Sequence, residues 1–416
     1  MLSVEKSSLV QSSLWSLPDP FMEDLSIYRP CNLLYTEEKL SRYQSGGYHP
    51  VCLGDTFKDG RYTIQHKLGW RGFSTVWLAN DRKRKQWVAM KIMTADSMSQ
   101  SQELRNLRSL ARHSQGSLDS KCVVQLIDEF LHQGPNGTHQ CLVFELLGPS
   151  VDVVVSDYHE SGDCIEPETI LRLSDQLLQA ISFIHEVGYA HGDISGRNVI
   201  FSCNYLSQLT EEKLFEVLGT PELEELARLD GKPLDTRLPK HLVKTTGWDD
   251  WIDEDDEDLR IIDFGEAFLQ GAEPTTLAQP GSLKAPETIF TDSFDYRIDL
   301  WRAGCVIYSF VFAAIPFQYL GDVDVLVAQM IDFVEKLPSE WQENWNHMQR
   351  HPVCVWEPFT RNGQLLQSKL EQKFHERVHE QTLKALLPVI QGLMRFMPSD
   401  RISASQALDL IRSKSD

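Results

Sequence analysis

Residues 191–198 read His-Gly-Asp-Ile-Ser-Gly-Arg-Asn, and Asp263-Phe264-Gly265 follows further along the chain. Three side chains in these two segments, Asp193, Asn198 and Asp263, carry oxygens of the kind that hard metal cations prefer. Each residue is unremarkable alone, but their assembly in this order is uncommon by chance. The two segments therefore predict one chemical site to which both contribute.

The sequences before and after this site differ in the secondary structure that they predict. Upstream, β-branched and aromatic residues predict strands over 62–69, 75–80, 87–93, 123–130 and 141–145, with one helix over 102–110. Downstream, helical periodicity predicts helices from Pro167 to Gly188 and over 296–312, 323–335, 380–397 and 403–412. The fold class is therefore α+β, with a sheet-rich lobe before a helix-rich one.

The chain is expected to divide into an N-terminal extension of uncertain order over 1–45, a first lobe over 46–147 and a second lobe over 148–416. An insertion at about 202–258 interrupts the second lobe. Thr210 and Thr220 are each predicted to begin a short helix in it. The insertion ends in the acidic run 249–258, interpreted either as a solvated linker or as a docking strip for a basic partner.

Composition limits the classes of partner. The net charge is −20, from 60 acidic and 40 basic residues, which argues against binding to nucleic acid or an anionic membrane and favours a basic partner. The 8 cysteines are scattered singly, as in a reducing compartment. Because no long apolar stretch or secretory signal is seen, we expect an intracellular protein in the cytoplasm, with the nucleus as a second compartment. We also expect a monomer. Asn136-Gly137-Thr138 predicts a hairpin turn.

The two segments of the site resemble the signature of eukaryotic protein kinases, and Lys91 resembles the lysine on the third strand of these enzymes. The resemblance implies a two-lobed protein-kinase-like fold, with an antiparallel sheet in the first lobe, that binds ATP and Mg²⁺. It implies that Asp193 accepts the hydrogen bond of the substrate hydroxyl and that Asn198 and Asp263 are the Mg²⁺ ligands. It also implies that Glu103 holds Lys91 against the ATP phosphates.

Small-molecule phosphotransferases, such as aminoglycoside and choline kinases, share a similar signature around residues 191–198. Three downstream features favour a protein substrate. Residues 285–287 (Ala-Pro-Glu) resemble the end of a protein-kinase activation segment, and residues 299–304 resemble the buried helix beneath the catalytic loop. Arg401 matches the partner of Glu287 in that family.

A narrower resemblance, to the serine/arginine-protein kinases, is carried by residues 46–78 and by Phe-Glu-Leu-Leu-Gly at 144–148. Those enzymes phosphorylate Arg-Ser repeats of splicing factors, so the resemblance implies serine phosphorylation in basic, arginine/serine-rich proteins. The nucleotide-binding residues that it implies are Leu68, Gly69, Trp70, Arg71, Gly72, Phe73, Ser74, Thr75, Val76, Ala89, Lys91, Glu145 and Leu147.

Four positions depart from the kinase pattern. Arg71 and Ser74 replace glycines of the phosphate-covering loop, and Ser195 replaces a lysine usual in serine/threonine kinases. Arg197 lies where tyrosine kinases have an arginine, and we expect it to supply the missing catalytic charge. Two alternatives therefore stay open: a pseudokinase scaffold, or a kinase with a different hydroxyl specificity.

Gly192 is a further departure, because many kinases have an arginine there that pairs with a phosphorylated activation segment. Its absence predicts that no phosphate is needed at Thr275, Thr276 or Ser282.

Overall fold

The computed structural model describes residues 25–100, 102–113, 119–202, 205–248, 251, 258–291, 293–349, 360–361, 364–365 and 368–413. Of the acidic run 249–258, only Trp251 and Asp258 are among them, so its two interpretations stay open. The described residues group into two compact units. The first holds the described residues within 25–100, 126–146 and 205–251, and the second holds the described residues within 102–125, 147–202 and 258–413.

The strands in the described residues are β1 (Thr56–Phe57), β2 (Tyr62–Arg71), β3 (Ser74–Asp81), β4 (Gln86–Met93), β5 (Leu126–Gly134), β6 (Gly137–Glu145), β7 (Tyr189–Ala190), β8 (Val199–Ser202), β9 (Leu223–Glu225), β10 (His241–Val243), β11 (Asp258–Ile261), β12 (Phe268–Leu269), β13 (Thr360–Arg361) and β14 (Gln364–Leu365). The α-helices are α1 (Leu33–Thr36), α2 (Gln102–His113), α3 (Val151–Ser161), α4 (Pro167–Glu186), α5 (Glu211–Leu218), α6 (Glu287–Phe290), α7 (Ile298–Phe312), α8 (Val323–Phe333), α9 (Gln342–Met348), α10 (Lys369–Arg377), α11 (Leu386–Leu393) and α12 (Ala404–Arg412).

The first unit is built on one antiparallel sheet with strand order β1-β2-β3-β4-β6-β5. Its strands form because alternate apolar residues bury one face, including Tyr62, Ile64, Trp77, Val88 and Met90. The five predicted strands are confirmed, and so is the turn at 136–138, which joins β5 to β6 with Gly134 opposite Gly137.

The described part of the N-terminal extension packs into the first unit. Leu34, Leu40 and Tyr43 are buried in one cluster with Leu226 and Leu242 of the insertion. The expectation of an extension of uncertain order is therefore corrected for residues 25–45, because their apolar side chains find partners far away in sequence. Residues 1–24 lie outside the described residues.

A buried ionic group joins the N-terminal segment, residues 25–48, to the sheet. The ammonium of Lys67 on β2 contacts the carboxylates of both Glu37 and Glu38. The main-chain N–H of Thr245 in the insertion donates to Glu37 over 3.0 Å. Since all three charged side chains are at most 5% exposed, each depends on the others for its solvation.

The insertion differs from its prediction in two respects. Thr210 does begin a helix, because its hydroxyl accepts the N–H of Lys213 at the start of α5. The helix predicted at Thr220 is wrong, since β9 follows there and pairs with β10. The described insertion residues 205–248 also group with the first unit and not with the second lobe, because β10 is buried on the first unit's sheet and N-terminal segment.

The second unit is mainly helical. Helix α4 begins with a proline at its first position, and Gly188 just beyond its end has φ +81°, as predicted for a left-handed cap. Helix α7 is buried along nearly its whole length. The helix predicted over 380–397 is shorter, because a 3₁₀ turn at Thr382–Ala385 precedes α11. No helix in the described part of the chain has the length and apolar character needed to cross a bilayer.

Candidate active site

Two short pairs of strands in the second unit position the predicted catalytic loop. Strand β7 precedes residues 191–198 and pairs with β12, while β8 follows them and pairs with β11. The segment 262–267 runs from β11 to β12, so the same pairing places it beside the loop. The two segments predicted to form one site therefore lie together within this unit.

The loop is fixed from below by a buried carboxylate on α7. Asp299 accepts the main-chain N–H groups of His191 over 2.7 Å and Gly192 over 3.0 Å, and His185 Nε2 lies 3.1 Å from it. Burial alone would raise the pKa of Asp299, but the hydrogen bond from His185 and the neighbouring histidines and amides outweigh it and lower the pKa. Asp299 is therefore a stable anion that holds the loop main chain.

His191 stabilises the loop through hydrogen bonds on its buried side. Its Nε2 lies 2.9 Å from the carbonyl of Ile262 and donates to it, which leaves Nδ1 to accept the main-chain N–H of Asp193 over 3.1 Å. The ring is fully buried and packs edge-on against Phe264. These contacts tie the loop to the segment 262–267.

Asp193 presents a fixed carboxylate at the surface of the loop. The Nδ2 of Asn198 donates to Asp193 Oδ2 over 2.8 Å, and the guanidinium of Arg302 on α7 lies 3.1 Å from Asp193 Oδ1. The Asp193 side chain remains 21% exposed. A positioned and accessible carboxylate of this kind can accept a proton from a hydroxyl group.

Asn198 carries an unused ligand atom. Its Nδ2 donates to the carbonyl and the side chain of Asp193, whereas its Oδ1 is buried and has no hydrogen-bond partner among the described residues. Such an orphaned oxygen is unfavourable unless a ligand satisfies it. The amide oxygen thus fits the predicted role of Asn198 as a cation ligand.

Asp263 is held in an unusual main-chain conformation, with φ +63°. A residue other than glycine in this region is strained by about 1 kcal/mol or more, and such strain concentrates at functional sites. Helix α2 fixes the following residues, since Asn106 Nδ2 donates to the carbonyls of Phe264 and Ala267 over 3.0 and 2.8 Å. Glu103 lies in the first turn of the same helix and is 4% exposed.

Arg197 was predicted to supply charge to the reaction. It lies on the exposed side of the loop, and its Nε donates to Asp152 over 3.3 Å. Sequence reasoning did not find Arg302, which contacts Asp193 directly. An arginine inside a buried and mainly apolar helix is a usable signal, because such a charge must have a buried partner.

The predicted partnership of Glu287 and Arg401 is confirmed. Arg401 Nη1 donates to Glu287 Oε1 over 2.7 Å, and its other nitrogen donates to Oε2, so the pair is bidentate. Both side chains are almost fully buried. This pair fixes the end of the activation segment, residues 263–287, to the helices of the second unit.

In the first unit, Lys91 lies on β4 in the middle of the sheet, opposite Val76 on β3 and Leu142 on β6. Ala89 lies two residues earlier on the same strand, and Glu145 ends β6 opposite Val88. Leu147 groups with the second unit. The pairing of Lys91 with Glu103 concerns residues of different units and stays a prediction.

The phosphate-covering loop, residues 69–74, consists of the end of β2, the turn at 72–73 and the start of β3. The N-terminal segment supports it, because Tyr48 donates its hydroxyl to the carbonyl of Arg71 over 2.7 Å and Arg42 donates to the carbonyl of Gly72. The Arg42 guanidinium also lies 5.9 Å from the ring centre of Phe73, which is 65% exposed at the tip. The remaining predicted members, Leu68, Gly69, Trp70, Ser74, Thr75 and Val76, lie on the two strands.

The oxygen ligands suit Mg²⁺ better than a metal that needs a complete protein cage. No three His, Cys, Asp or Glu side chains converge as a metal site within the described residues. Mg²⁺ usually takes one or two protein oxygens, and phosphates and water complete its octahedron. The orphaned Oδ1 of Asn198 and the carboxylate of Asp263 match that requirement.

Comparison with known proteins identifies the class. The Protein kinase domain model matches residues 62–210 and 251–410, which is more than half of the chain. The chain therefore belongs to the protein kinase family, and this membership implies ATP and Mg²⁺ as its ligands. A crystal structure of a kinase domain has the same fold, with a TM-score of 0.60 and 17% identity over 88% of this chain and 98% of that one.

Similar proteins narrow the class further. The chain is 38% identical to Protein kinase dsk1 of Schizosaccharomyces pombe and 36% identical to serine/threonine-protein kinase SKY1 of Saccharomyces cerevisiae. Each match covers 39% of this chain, and they span only 30% and 23% of those two relatives. Serine/threonine-protein kinase SRPK of Physarum polycephalum is 28% identical over 73% of this chain and 74% of its own length. The predicted resemblance to serine/arginine-protein kinases is confirmed.

Proposed function

We propose that the protein transfers the γ-phosphate of ATP to serine in basic, arginine/serine-rich proteins. The observation that carries the proposal is the Asp193 carboxylate, which Asn198 and Arg302 hold in place while part of it stays exposed. The proposal names an enzyme because the site is complete in residue type: Lys91, Glu103, Asp193, Asn198 and Asp263 are all present.

In the reaction, the serine oxygen forms a bond to the γ-phosphorus as the bond from that phosphorus to the ADP oxygen breaks. Asp193 orients the serine hydroxyl and receives its proton. Asn198 and Asp263 would hold Mg²⁺, which neutralises phosphate charge when bound. Lys91 would offset the charge of the α- and β-phosphates, and the main chain of residues 69–74 would cover them.

Two observations support a basic substrate. The chain has a net charge of −20, which favours association with a cationic peptide. Its relatives include proteins named as SRPK and spk-1 kinases. The resemblance at residues 46–78 points to the same substrates, and guanidinium groups match carboxylates bidentately as ammonium groups do not.

The carboxylates on and near α8 are only partly available for such a substrate. Asp332 on the helix pairs with Lys369, and Glu335 just beyond it pairs with Arg395 over 2.7 Å. Asp322, which precedes the helix, is exposed and is the better candidate contact for a basic peptide, whereas Asp324 in the first turn is half-buried and accepts the main-chain N–H of Val325 over 3.1 Å. The location in cytoplasm or nucleus stays a prediction.

The test is phosphate transfer from Mg-ATP to four matched peptides with Arg-Ser, Lys-Ser, Glu-Ser and Arg-Tyr repeats. We expect the Arg-Ser peptide to be the best substrate, and its KM to rise steeply as salt increases beyond about 0.15 M, because several charge pairs are screened together. Equal turnover of the three serine peptides at low salt would remove the substrate class and leave the kinase activity standing.

The pseudokinase alternative predicts a different result. Its support is the substitution pattern at Arg71 and Ser195. A scaffold would bind the Arg-Ser peptide without phosphorylating any of the four. Preference for the Arg-Tyr peptide would instead identify a kinase with a different hydroxyl specificity.

A further inference from the structure

Arg302 is a buried cation at the centre of the catalytic unit. It lies on α7, whose neighbouring residues are nearly all buried, and its own side chain is 0% exposed. A charge in such a place is strongly unfavourable unless its hydrogen bonds are well made. The contacts of Arg302 therefore indicate what it does.

The guanidinium joins three parts of the site. Its Nη1 donates to the carbonyl of Gly192 over 2.7 Å and to Asp193 Oδ1 over 3.1 Å. Its Nη2 lies 3.4 Å from the carbonyl of Ala278 in the activation segment. One side chain thus contacts the loop main chain, the carboxylate that would receive the proton, and the activation segment.

Ala278 is held from its other side as well. Glu266 accepts a hydrogen bond from the main chain of Ala278. Burial, with a smaller contribution from Asp193 and Asp263, raises the pKa of Glu266, whereas this hydrogen bond and Arg302 oppose the rise. Ala278 therefore contacts both a guanidinium from α7 and a carboxyl group from the start of its own segment.

Gly192 limits where the cation beside Asp193 can come from. It has φ +76°, and a Cβ atom there would lie 2.5 Å from the carbonyl oxygen of Glu266. No side chain fits at that position without moving the main chain. A cation beside Asp193 therefore cannot come from residue 192, and Arg302 supplies it from the helix below.

We propose that Arg302 is a positioning residue that holds the Asp193 carboxylate and anchors the activation segment through Ala278 without a phosphate. This role of Arg302 rests on the proposed kinase function only in its effect on kcat; the effect on hydrogen exchange does not depend on that function. A guanidinium keeps its charge at every accessible pH, and this one lies in a low-dielectric interior. The anchor is therefore permanent, in contrast to one made by a phosphorylated residue.

The experiment compares the wild type with Arg302→Met, Arg302→Lys and the control Tyr308→Leu. Tyr308 lies on the same helix and is equally buried, but it contacts Phe312, Phe333 and Lys373. Hydrogen–deuterium exchange is measured for the peptides that cover 189–199 and 274–284. Kinetics with Mg-ATP and an Arg-Ser peptide are measured on the same samples, with kcat expressed per folded molecule.

We expect faster exchange in both peptides for the two Arg302 variants and no local change for Tyr308→Leu. For Arg302→Met, kcat should fall by about tenfold or more, because the charged hydrogen bond to Asp193 is lost. The KM for ATP should stay within about twofold, because the substitution removes no contact assigned to the nucleotide. Arg302→Lys should recover part of kcat, because it keeps the charge but loses the fork. If Arg302→Met does not fold, the exchange and kcat measurements on Arg302→Lys test the inference.

Unchanged exchange in both peptides would overturn the inference, and so would a kcat of both Arg302 variants equal to that of wild type. A kcat loss of the same size in Tyr308→Leu would also overturn it, since the effect would then be general. A wild type inactive on every peptide would contradict the proposed function, and hydrogen exchange alone would then decide the role of Arg302.

Triple replacement of Thr275, Thr276 and Ser282 by alanine should leave most of the kinase activity, whereas a loss beyond about tenfold would contradict a phosphate-free anchor.

Discussion

The loop at 191–198 in the second unit and the loop at 69–74 in the first unit are supported in opposite ways. Buried charges on α7, Asp299 and Arg302, hold the first loop through its main chain and through Asp193. The second loop is held near the surface by the N-terminal segment, and its tip residue Phe73 is 65% exposed. We therefore expect the first loop to be rigid and the second to respond to the segment that supports it.

The largest effect expected in the first unit comes from Lys91→Met. Loss of this ammonium should lower kcat/KM for ATP by at least about 30-fold, corresponding to about 2 kcal/mol of lost transition-state stabilisation. Steady-state kinetics on folded protein provide the measurement. Lys83→Met, at an exposed turn of the same sheet, is the control and should change kcat/KM by less than twofold. Activity of Lys91→Met within about threefold of wild type would remove its assigned role.

The buried ionic group of the N-terminal segment can be broken with Lys67→Met. Two carboxylates, Glu37 and Glu38, would lose their buried cation, so the first unit should lose about 3–5 kcal/mol of stability. The measurement is hydrogen exchange of amides in β2 and β3.

The exposed pair Lys244–Glu222 gives the control for that variant. Lys244→Met should cost at most about 1 kcal/mol, because solvent screens exposed pairs. Equal protection in both variants would mean that the N-terminal segment does not stabilise the sheet.

Acid should weaken the first unit through a histidine cluster. His49 lies between His132 and His139, with ring centres 4.6 and 5.0 Å away, and burial followed by these two neighbours lowers the pKa of His49 to about 3. The unfolded chain binds a proton below about pH 6.5 and the folded chain does not, so stability is complete above that pH and falls below it. The loss should be about 1.4 kcal/mol per pH unit, down to about pH 3.

The measurement is the free energy of unfolding between pH 7 and pH 4.5 for wild type, His49→Phe and the exposed-site control His379→Phe. His49→Phe should flatten the pH dependence, and His379→Phe should leave it as in wild type. A slope unaffected by His49→Phe would show that another group causes the acid sensitivity.

The smallest effect is expected where the N-terminal segment supports the phosphate-covering loop. Tyr48→Phe removes the hydrogen bond to the carbonyl of Arg71, worth about 1 kcal/mol, so the KM for ATP should rise by up to about fivefold with little change in kcat. Tyr35→Phe, at an exposed side chain in the same segment, should leave the KM unchanged. A fall in kcat with constant KM would contradict the distinction drawn between the two loops.

The sequence allowed the prediction of elements whose signals are local. Helix α4 was predicted because a proline begins it and one face is apolar, and the helix at Thr210 because a capping residue precedes acidic ones. The helix predicted at Thr220 is wrong because β9 exists only through pairing with β10, far along the chain.

The residues of the candidate site likewise divide into those with a local sequence signal and those without one. Asp193, Asn198 and Asp263 were found because they belong to contiguous motifs, and β-strand pairing brings these motifs together. Arg302 and the N-terminal support of the loop were missed, because their roles depend on contacts between residues distant in sequence. Long-range contacts were predicted where both partners belong to known motifs, as for Glu287 and Arg401, and were missed where one partner lies outside them.

The central claim is that Asp193 is the fixed carboxylate of a phosphate-transferring site. Its most direct test is the kcat of Asp193→Asn for Arg-Ser peptide phosphorylation, with Asp175→Asn as a control in the same unit that disturbs only surface contacts with Arg412 and Gln179. We predict that Asp193→Asn lowers kcat by at least about 100-fold, because proton acceptance and alignment of the hydroxyl are both impaired. Asp175→Asn should stay within about twofold of wild type. A folded Asp193→Asn variant with a kcat within about threefold of wild type would contradict the claim.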